Sequence, residues 1–393
     1  MLPSVNITIL NGGLGLVAST SDGVAGLILT GAPVLNKIAL DEPKQIFTLA
    51  EAEALGLTAA YDTTNETDVH KQISEFYDAA GNGKELWIMI VDFDRTMADV
   101  CDVNNEYAVK LLNAARGAIR ILGVTHLSFG AFTELNGLDP DVAAALVKAQ
   151  VLANQFASVM APVRVLIAGR GWNGNAADLA DLTLNTKNRV AVVLAATDAI
   201  AKEPCVGLAL GRLAANPVQR KISRVKDGSL PILQGYFSDG KTVEEHASAI
   251  ESINNKGYII LRNFVGKAGY FFASDPTATG TTDDYNSIAR GRVIDKALIL
   301  TYLTYINELD EEVLINTDGS LDAAYVKSLQ GMIENAININ MAADGEISAV
   351  DCYIDAAQNV LVTNKLAVSL KITPVGYSSV IEVELGFQNP NNS

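Results

Sequence analysis

Leu86-Trp-Ile-Met-Ile-Val91 is the stretch that decides the fold, because it is an uninterrupted apolar run between two polar segments. A run this short and this apolar predicts a β-strand that is covered on both faces. Amphipathic helices are predicted on either side of it, over Asp68–Ala80 and Glu106–Ile119, and a second strand over Ile121–Phe129. Helices and strands in this order indicate parallel strands joined by helical crossovers.

The same alternation continues for roughly another hundred residues. A strand is also predicted earlier, within Gly23–Gly31. Together these elements predict a three-layer α/β domain over residues 23–215, with helices on both faces of a largely parallel sheet. The later elements are a helix begun by Asp139-Pro140-Asp141 and ending at Met160, strand Val163–Ala168, helix Ala176–Leu184, strand Val190–Ala195 and helix Cys205–Ala214.

The last part of the chain has a different organisation. Residues 216–242 are rich in Pro and Gly and are predicted to be a linker. Residues 243–375 are predicted to form a second, α+β domain. Its elements are helix Thr242–Ile253, a strand pair at Tyr258–Phe264 and Ala268–Phe272, long helices Ile288–Glu308 and Ser320–Ala342, and strands Cys352–Ala356 and Leu366–Ile372.

Both ends of the chain carry strand-like segments. Val5-Asn-Ile-Thr-Ile-Leu10 is rich in β-branched residues, and Val380-Ile-Glu-Val-Glu-Leu-Gly-Phe387 alternates apolar and acidic side chains. An isolated strand is unstable in water and exposes a pairing edge, so each segment needs a partner sheet. Residues 1–22 and 376–393 are therefore predicted to be arms, separate from the domains.

The composition excludes several classes of function. The 45 acidic residues exceed the 29 basic ones, giving a net charge of -16 that disfavours nucleic acid as a partner. The three cysteines, Cys101, Cys205 and Cys352, are widely spaced, and so are the three histidines, so neither a disulfide framework nor a metal site or cofactor is predicted. The N-terminus lacks the charged start of a secretory signal, and no apolar run is long enough for membrane insertion. These features predict a cytoplasmic protein.

One basic segment departs from the acidic background. Arg212, Arg220, Lys221, Arg224 and Lys226 lie close together in a stretch without acidic residues. A solvated loop face explains such a segment, and so does a contact with an acidic surface, such as another copy of this chain.

Asp92-Phe93-Asp94-Arg95-Thr96 follows the apolar run and has the DxDxT pattern of haloacid-dehalogenase phosphotransferases. In that chemistry Asp92 would attack phosphorus and Asp94 would act as general acid, with Mg²⁺ bound between them and the phosphate. The pattern also needs a lysine and a later acidic pair at strand ends. The only adjacent Asp pair downstream, Asp283-Asp284, follows no apolar strand. A polar turn after a buried strand is the simpler interpretation, and the phosphotransferase is the alternative function.

Two glycine-rich segments suggest nucleotide binding. Gly169-Arg-Gly-Trp-Asn-Gly174 matches GxGxxG between a predicted strand and helix, but Trp172 and Asn173 stand where the helix should approach a pyrophosphate closely. Asn11–Gly15 lacks the Lys and Ser/Thr of a P-loop. Both segments are interpreted as turns, and no catalytic residue is predicted.

Several segments resemble contractile tail sheath proteins, the family found in phage tails, tailocins and contractile injection systems. The resemblance depends on the succession of these segments along most of the chain. They are Gly207–Val225, Gly257–Asn263 (with Leu261 in place of the usual aromatic), Ile288–Lys296, Gly345–Asp351, Leu366–Pro374 and Val380–Phe387.

The resemblance implies a structural subunit that forms a helical array around an inner tube and contracts to drive the tube through a target envelope. It implies an inner domain built from both chain ends and an inserted outer α/β domain. Terminal strands would pair with neighbouring copies, through Val5, Ile7, Ile9 and Leu10 at one end and Val380, Ile381, Val383, Leu385 and Phe387 at the other.

Other expected partners are the tube, baseplate and terminator proteins, after assembly in the cytoplasm of a bacterial host as part of a phage tail or injection particle. Helix Ser320–Ala342, with Lys327, is the predicted tube-facing element, and a core helix is an equally good interpretation of it.

Overall fold

The structure, a computed structural model, describes residues 22–127, 130–200 and 203–387, and its elements fall into two groups. The first group builds the α/β unit, residues 22–287: β1 (Ala25–Thr30), β2 (Lys44–Ile46), α1 (Leu49–Ala54), α2 (Ala59–Asn65), α3 (Val69–Ala80), β3 (Leu86–Val91), α4 (Met97–Cys101), α5 (Tyr107–Ala114), β4 (Ile121–Val124), α6 (Pro140–Ser158), β5 (Arg164–Ala168), β6 (Thr186–Lys187), β7 (Val190–Val193), β8 (Ala195–Ala196), α7 (Val206–Ala215), β9 (Tyr236–Phe237), α8 (Ile250–Asn255), β10 (Tyr258–Ile259), β11 (Leu261–Phe264), β12 (Lys267–Phe272) and β13 (Ala278–Thr279). The second group builds the C-terminal unit, residues 288–374: α9 (Ile288–Tyr305), α10 (Ala323–Ile337), a π-helical turn (Asn338–Ala342), β14 (Ile347–Tyr353), α11 (Val360–Thr363) and β15 (Ser369–Pro374).

The α/β unit is built around one sheet, whose strand order among the described residues is β10-β7-β5-β4-β1-β3-β2. Neighbouring strands are parallel except at β2, which runs antiparallel to β3. All of β1 is buried. Because successive side chains of a strand point to opposite faces, this burial requires cover on both faces of the sheet. Helix α5 packs on β1 and β3, while α6 packs on β5 and β7. The predicted α/β architecture with a largely parallel sheet is confirmed.

Helices α3 and α7 pack in close contact because glycine occupies two positions on one face of α7. A Cβ atom would lie 2.0 Å from the carbonyl oxygen of Gln72 at position Gly207, and 2.3 Å from that of Phe76 at position Gly211. The side chain of Gln72 completes the contact, since its Oε1 accepts from the backbone N–H of Gly207 at 2.6 Å and its Nε2 donates to the carbonyl of Pro204 at 2.7 Å. The helices therefore fix each other's position against the sheet.

The C-terminal unit has a core of its own. Helix α9 packs on α10, and α10 packs on β14, which forms an antiparallel hairpin with β15. Leu329, Ile333, Ile337 and Met341 are completely buried at the helical spacing seen in the sequence. The long helices predicted at Ile288–Glu308 and Ser320–Ala342 are confirmed, and the last turn of the second is π-helical.

The predicted linker at residues 216–242 is wrong. Ile222, Leu230 and Phe237 are buried in the core of the α/β unit, and β9 pairs with β8. The prolines and glycines of this stretch lie in turns of a packed segment, so its composition is similar to that of a linker. The two cores meet farther along the chain at α9, where Ile288 belongs to the first core and Val293 to the second.

Two predicted helices are also wrong. Over Ala176–Leu184 the structure has a 3₁₀ turn at Leu182–Leu184 only. The side chains of Asn173 and Asn175 accept hydrogen bonds from backbone N–H groups two residues farther on, and this competes with helix formation.

Over Thr242–Ile253 the regular helix is limited to α8, which begins only at Ile250. Thr242 and Glu245 form a capping box, but the residues between them and α8 form turns.

The predicted strand pair at Tyr258–Phe264 and Ala268–Phe272 divides its first strand between two sheets. Residues Leu261–Phe264 pair with β12 as predicted, whereas Tyr258–Ile259 pairs with β7 at the edge of the large sheet. The last two predicted strands are confirmed with shifted bounds, as β14 and β15. The pairing of Tyr258–Ile259 with β7 attaches the segment after α8 to the α/β unit.

Candidate assembly interface

The segment after β15 leaves apolar side chains in solvent. Residues 375–387 have no regular secondary structure in the single chain, so the predicted strand Val380–Phe387 is not formed there. Val380, Ile381 and Val383 are each at least three-quarters exposed, and Leu385 and Phe387 are almost wholly exposed. An apolar and acidic segment that no sheet of the described residues covers has the character of a strand that pairs elsewhere.

The other predicted interaction residues lie at the N-terminus. Val5, Ile7, Ile9 and Leu10 fall outside the residues that the structure describes, which begin at Asp22. Their pairing therefore stays a prediction.

The hairpin of β14 and β15 has two outer edges, and helix α10 closes one of them. At Cys352 of β14 the backbone N–H donates to Glu334 Oε1 at 3.0 Å, and the carbonyl accepts from Gln330 Nε2 at 3.1 Å. Backbone N–H and C=O groups lie in the plane of a sheet, so these two α10 side chains occupy the position of a further strand. The outer edge of β14 is thus blocked by the chain itself.

The outer edge of β15 is open among the described residues. Cys352 points its backbone groups away from β15, and it stands opposite Leu370. Directions alternate along an antiparallel pair, so Leu370 and Ile372 also point their N–H and C=O groups outward, on the far side of β15. The described chain places no third strand there. The hairpin therefore presents one edge to which a strand of another molecule can add.

Helix α10 presents a face without carboxylates. Lys327 is exposed on it, surrounded by exposed Ala324, Ser328, Gly331 and Asn335. The one acidic side chain of this helix, that of Glu334, is engaged with Cys352. In a chain of net charge -16, this face carries a single positive charge and little bulk.

The two units are joined by buried charged groups. Lys296 of α9 lies 2.8 Å from Asp22 Oδ2 and 2.7 Å from Glu346 Oε2. One turn away, Arg292 Nη2 donates to the backbone carbonyls of Asp22 and Asn216, and burial lowers the pKa of this guanidinium to about 10. Burial raises the pKa of Glu346, which the ammonium of Lys296 opposes. These bonds connect Asp22, at the start of the α/β unit, to α9 and to the residue before β14 in the C-terminal unit.

A groove of about 640 Å³ runs beside this junction. Its walls come from the α/β unit, including Phe47 and Lys84, and from the C-terminal unit, including Asn340 and Asp344. Both signs of charge line it, and its lining includes Lys296 and Glu346 of the junction itself.

The DxDxT segment forms a turn. Asp92 Oδ1 accepts from the backbone N–H of Asp94 at 3.2 Å, and Asp94 pairs with the neighbouring Arg95 in solvent. Asp283 is engaged in a loop of its own, where its carboxylate accepts from Asn188, Thr279 and the N–H of Tyr285. This geometry is that of a polar turn closing a buried strand, and nothing in it supports the phosphotransferase alternative.

The GxGxxG segment also forms a turn. It follows β5, but no helix comes after it, so the N–H groups that would bind a pyrophosphate are missing. Trp172 is buried against Phe237 and His246, and Arg170 pairs with Asp139 at 3.2 Å. The segment's own side chains thus fill the end of the sheet.

Two further observations concern sites that other protein classes use. Within residues 22–127, 130–200 and 203–387, no three His, Cys, Asp or Glu side chains are grouped so that they could hold a metal ion. Over the same ranges, no helix has the length and apolarity needed to cross a membrane.

The basic segment at 212–226 is largely paired within the chain, with Arg220 and Arg224 on Asp227 and Lys221 near Asp275.

The C-terminal segment and Lys327, predicted from the sequence as contact residues, are exposed in the structure, and their contacts stay a prediction. The residues that close one hairpin edge were missed. Gln330 and Glu334 are four residues apart on α10, which is a visible helical spacing. Their role depends on contact with β14, which lies farther along the chain, so only the folded structure shows it.

Comparison with solved structures shows the class of fold. A chain in the cryo-EM structure of the anti-feeding prophage baseplate superposes with a TM-score of 0.63 at 15% identity, over 99% of both chains. The helical sheath of the anti-feeding prophage in its contracted state gives 0.63 at 14% identity, again over 99% of both chains. The PVC sheath complex of an extracellular contractile injection system, also contracted, gives 0.63 at 12% identity over 100% of this chain and 99% of that one. The chain shares the fold of these sheath and baseplate structures.

The sequence itself matches one family in two parts. Residues 2–275 match the description "DUF2586, N-terminal domain" and residues 284–392 match "DUF2586, C-terminal domain". The chain belongs to the DUF2586 family. The second match begins at residue 284, four residues before the first residue of α9. No curated protein matches the sequence.

Proposed function

We propose that this chain is a structural sheath subunit without catalytic activity. It polymerises as a helical array around an inner tube and contracts by rigid-body rearrangement, driving the tube through a target envelope. The full-length likeness to contracted sheath structures supports this function. The observation that carries it is the exposed apolar segment 380–387, on the same chain as an open β15 edge.

The C-terminal arm, residues 376–393, pairs with the hairpin of a neighbouring copy. Val380, Ile381, Val383, Leu385 and Phe387 supply the strand, and the outer edge of β15 supplies the acceptor. Each backbone hydrogen bond is worth roughly 1 kcal/mol net, so a strand of this length contributes several kcal/mol per contact. Such a linkage survives rotation of the subunits because it involves the arm and the hairpin only.

The N-terminal arm, residues 1–22, makes a second linkage through Val5, Ile7, Ile9 and Leu10. Each subunit then donates strands to neighbouring copies and accepts one on the open edge of its own hairpin. Head-to-tail contacts of this kind need not close into a ring, and when they are repeated they generate a helix. Contraction is then a change in how whole subunits pack. The buried charged junction at Lys296 and Arg292 supports this, because it holds the two units of one subunit together.

The face of α10 around Lys327 contacts the inner tube, and the α/β unit lies outside. Small side chains permit close approach, and the absence of carboxylates on this face avoids repulsion from an acidic tube surface. Baseplate and terminator proteins bind the two ends of the array. Assembly takes place in the cytoplasm of a bacterial host, as part of a phage tail or injection particle.

Truncation tests the proposal. Removing residues 379–393, or residues 1–15, leaves the described units intact, so each variant should be folded but unable to form polymers that sediment. Circular dichroism and thermal melting control for folding. If both truncated proteins polymerise as the full chain does, the arms are not the linkage.

A further inference from the structure

Tyr377, near the start of the C-terminal arm, is held against the α/β unit just before the exposed part of the arm begins. Its hydroxyl donates to the backbone carbonyl of Gln219 at 2.6 Å, and Lys221 Nζ lies 4.8 Å from the centroid of its ring. The hydroxyl is half-buried, and burial with nearby Asp275 raises its pKa to about 12, so it is a hydrogen-bond donor at any physiological pH. From Ser378 onward every described residue is exposed.

The surface that receives Tyr377 is itself fixed to both units. Val218 is buried in the core of the C-terminal unit, and Gln219 Nε2 donates to the carbonyl of Gly345 at 3.4 Å. On the other side, Lys221 lies 3.8 Å from the buried carboxylate of Asp275 in the α/β unit. Tyr377 is therefore bound at the place where the two units meet, on a segment that contacts both of them.

We propose that Tyr377 is a positioning residue that fixes where the C-terminal arm leaves the subunit. The inference rests on the proposed strand exchange. Ser379 to Phe387 spans at most about 30 Å when fully extended, so the exit point limits which neighbouring hairpin the arm can reach. Without the contact, the arm departs from the end of β15 with about 10 Å of additional slack and no set direction.

Two contacts hold Tyr377 in place: its ring lies against the Lys221 ammonium group, and its hydroxyl donates to the Gln219 carbonyl. The hydrogen bond and the cation–π contact together favour the docked state by roughly tenfold or more. Pre-orientation of this kind accelerates linkage because fewer arm conformations must be searched. Tyr377 is thus expected to affect the rate of polymerisation more than the stability of the finished polymer.

Backbone nitrogen-15 relaxation on the monomer tests the contact directly. Tyr377→Ala should lower the order parameters of residues 375–378 to below about 0.6 while those of β14 and β15 are unchanged. Tyr377→Phe keeps the ring on Lys221 and should give an intermediate value. Lys221→Met should also loosen the segment, whereas Lys226→Met, which changes an exposed lysine of the same basic segment, should not.

Polymerisation of the same variants tests the role. Light scattering should show Tyr377→Ala assembling several-fold more slowly than wild type, with Tyr377→Phe recovering part of the rate. If the order parameters of 375–378 are the same in Tyr377→Ala and wild type, or if they fall while assembly keeps the wild-type rate, Tyr377 does not position the arm. Deletion of residues 379–393 serves as the reference: if that variant assembles normally, strand exchange between subunits fails, and the relaxation data on Tyr377 still report the contact itself.

Discussion

Arg164 Nε donates to Asp295 Oδ2 across 2.6 Å, and this pair joins the central sheet of the α/β unit to the helix that begins the C-terminal unit. Both side chains are buried, with 2% and 7% of their surface exposed. The other guanidinium nitrogens of Arg164 donate to the carbonyls of Asn188 and Gly291, and Asp295 Oδ1 accepts from Arg189. The charges are fully bonded, so the two units form one body at this point.

Breaking this pair should destabilise the whole chain. Arg164→Met leaves the Asp295 carboxylate buried with Arg189 as its remaining partner, and should lower the free energy of unfolding by about 3–5 kcal/mol in urea denaturation. Arg189→Met removes the more exposed partner and should cost less than half as much. Arg164→Met with Asp295→Leu should recover part of the loss, since no carboxylate is left buried and the only charge that loses its partner is that of the more exposed Arg189. A single Arg164→Met variant as stable as wild type would show that the junction contributes little.

The contact of α3 with α7 should be intolerant of a single methyl group. At Gly207 an added Cβ meets a backbone carbonyl at 2.0 Å, so Gly207→Ala must push the helices apart and should lower stability by about 2 kcal/mol or more. Gly331→Ala is the matched control, because nothing lies within 4 Å of a Cβ there and alanine favours a helix over glycine by about 1 kcal/mol. Thermal unfolding should therefore give shifts of opposite sign. Equal shifts would contradict the close packing.

The stability of the α/β unit should fall as the pH rises from about 5 to about 8. Burial raises the pKa of Glu203 to about 8 in the folded chain, against an ordinary value of 4.5. The folded state therefore binds a proton that the unfolded chain has lost in this window, and stability is lost as pH rises towards the folded pKa. Burial acts in the same direction on Glu75, whose pKa is about 7.

Glu203→Gln keeps the neutral form at every pH. We expect it to match wild type at pH 5 and to exceed it by about 2–4 kcal/mol at pH 8.5, measured by urea denaturation at each pH. A constant difference between the two proteins across this range would mean that Glu203 does not titrate in the folded state.

The open edge of β15 should be blocked by removing one outward N–H group. Leu370→Pro deletes a donor that points away from β14, so the hairpin should persist while another strand can no longer pair at that position. Leu370→Ala loses the same side chain but keeps the N–H group, and it should still polymerise. Monomer folding is checked by circular dichroism and polymer formation by sedimentation. If the proline variant polymerises as well as the alanine variant, the acceptor is another edge.

The sheet and the long helices could be predicted from the sequence because their signal is local. Leu86–Val91 is apolar at every position, and Leu329, Ile333, Ile337 and Met341 follow a helical period, so each pattern indicates burial without reference to other segments. The helix predicted at Ala176–Leu184 did not form, because Asn173 and Asn175 bond to the backbone in a way that propensity alone does not show.

Contacts distant in sequence were beyond such reasoning. The joining of Arg164 to Asp295, the closure of one hairpin edge by Gln330 and the docking of Tyr377 on Gln219 each connect segments that no periodicity relates. The exposed segment at 380–387 is the opposite case. Its alternation was visible in the sequence, and in the single chain it has no partner strand among the described residues.

Negative-stain electron microscopy of the purified full-length protein tests the central claim most directly. At high protein concentration and physiological salt, we expect striated tubes or stacked rings, and the variant lacking residues 379–393 prepared in parallel should give only dispersed particles. Dispersed globules from the full-length protein under all conditions, accompanied by phosphatase activity that Asp92→Asn abolishes, would contradict the sheath function and favour the phosphotransferase instead.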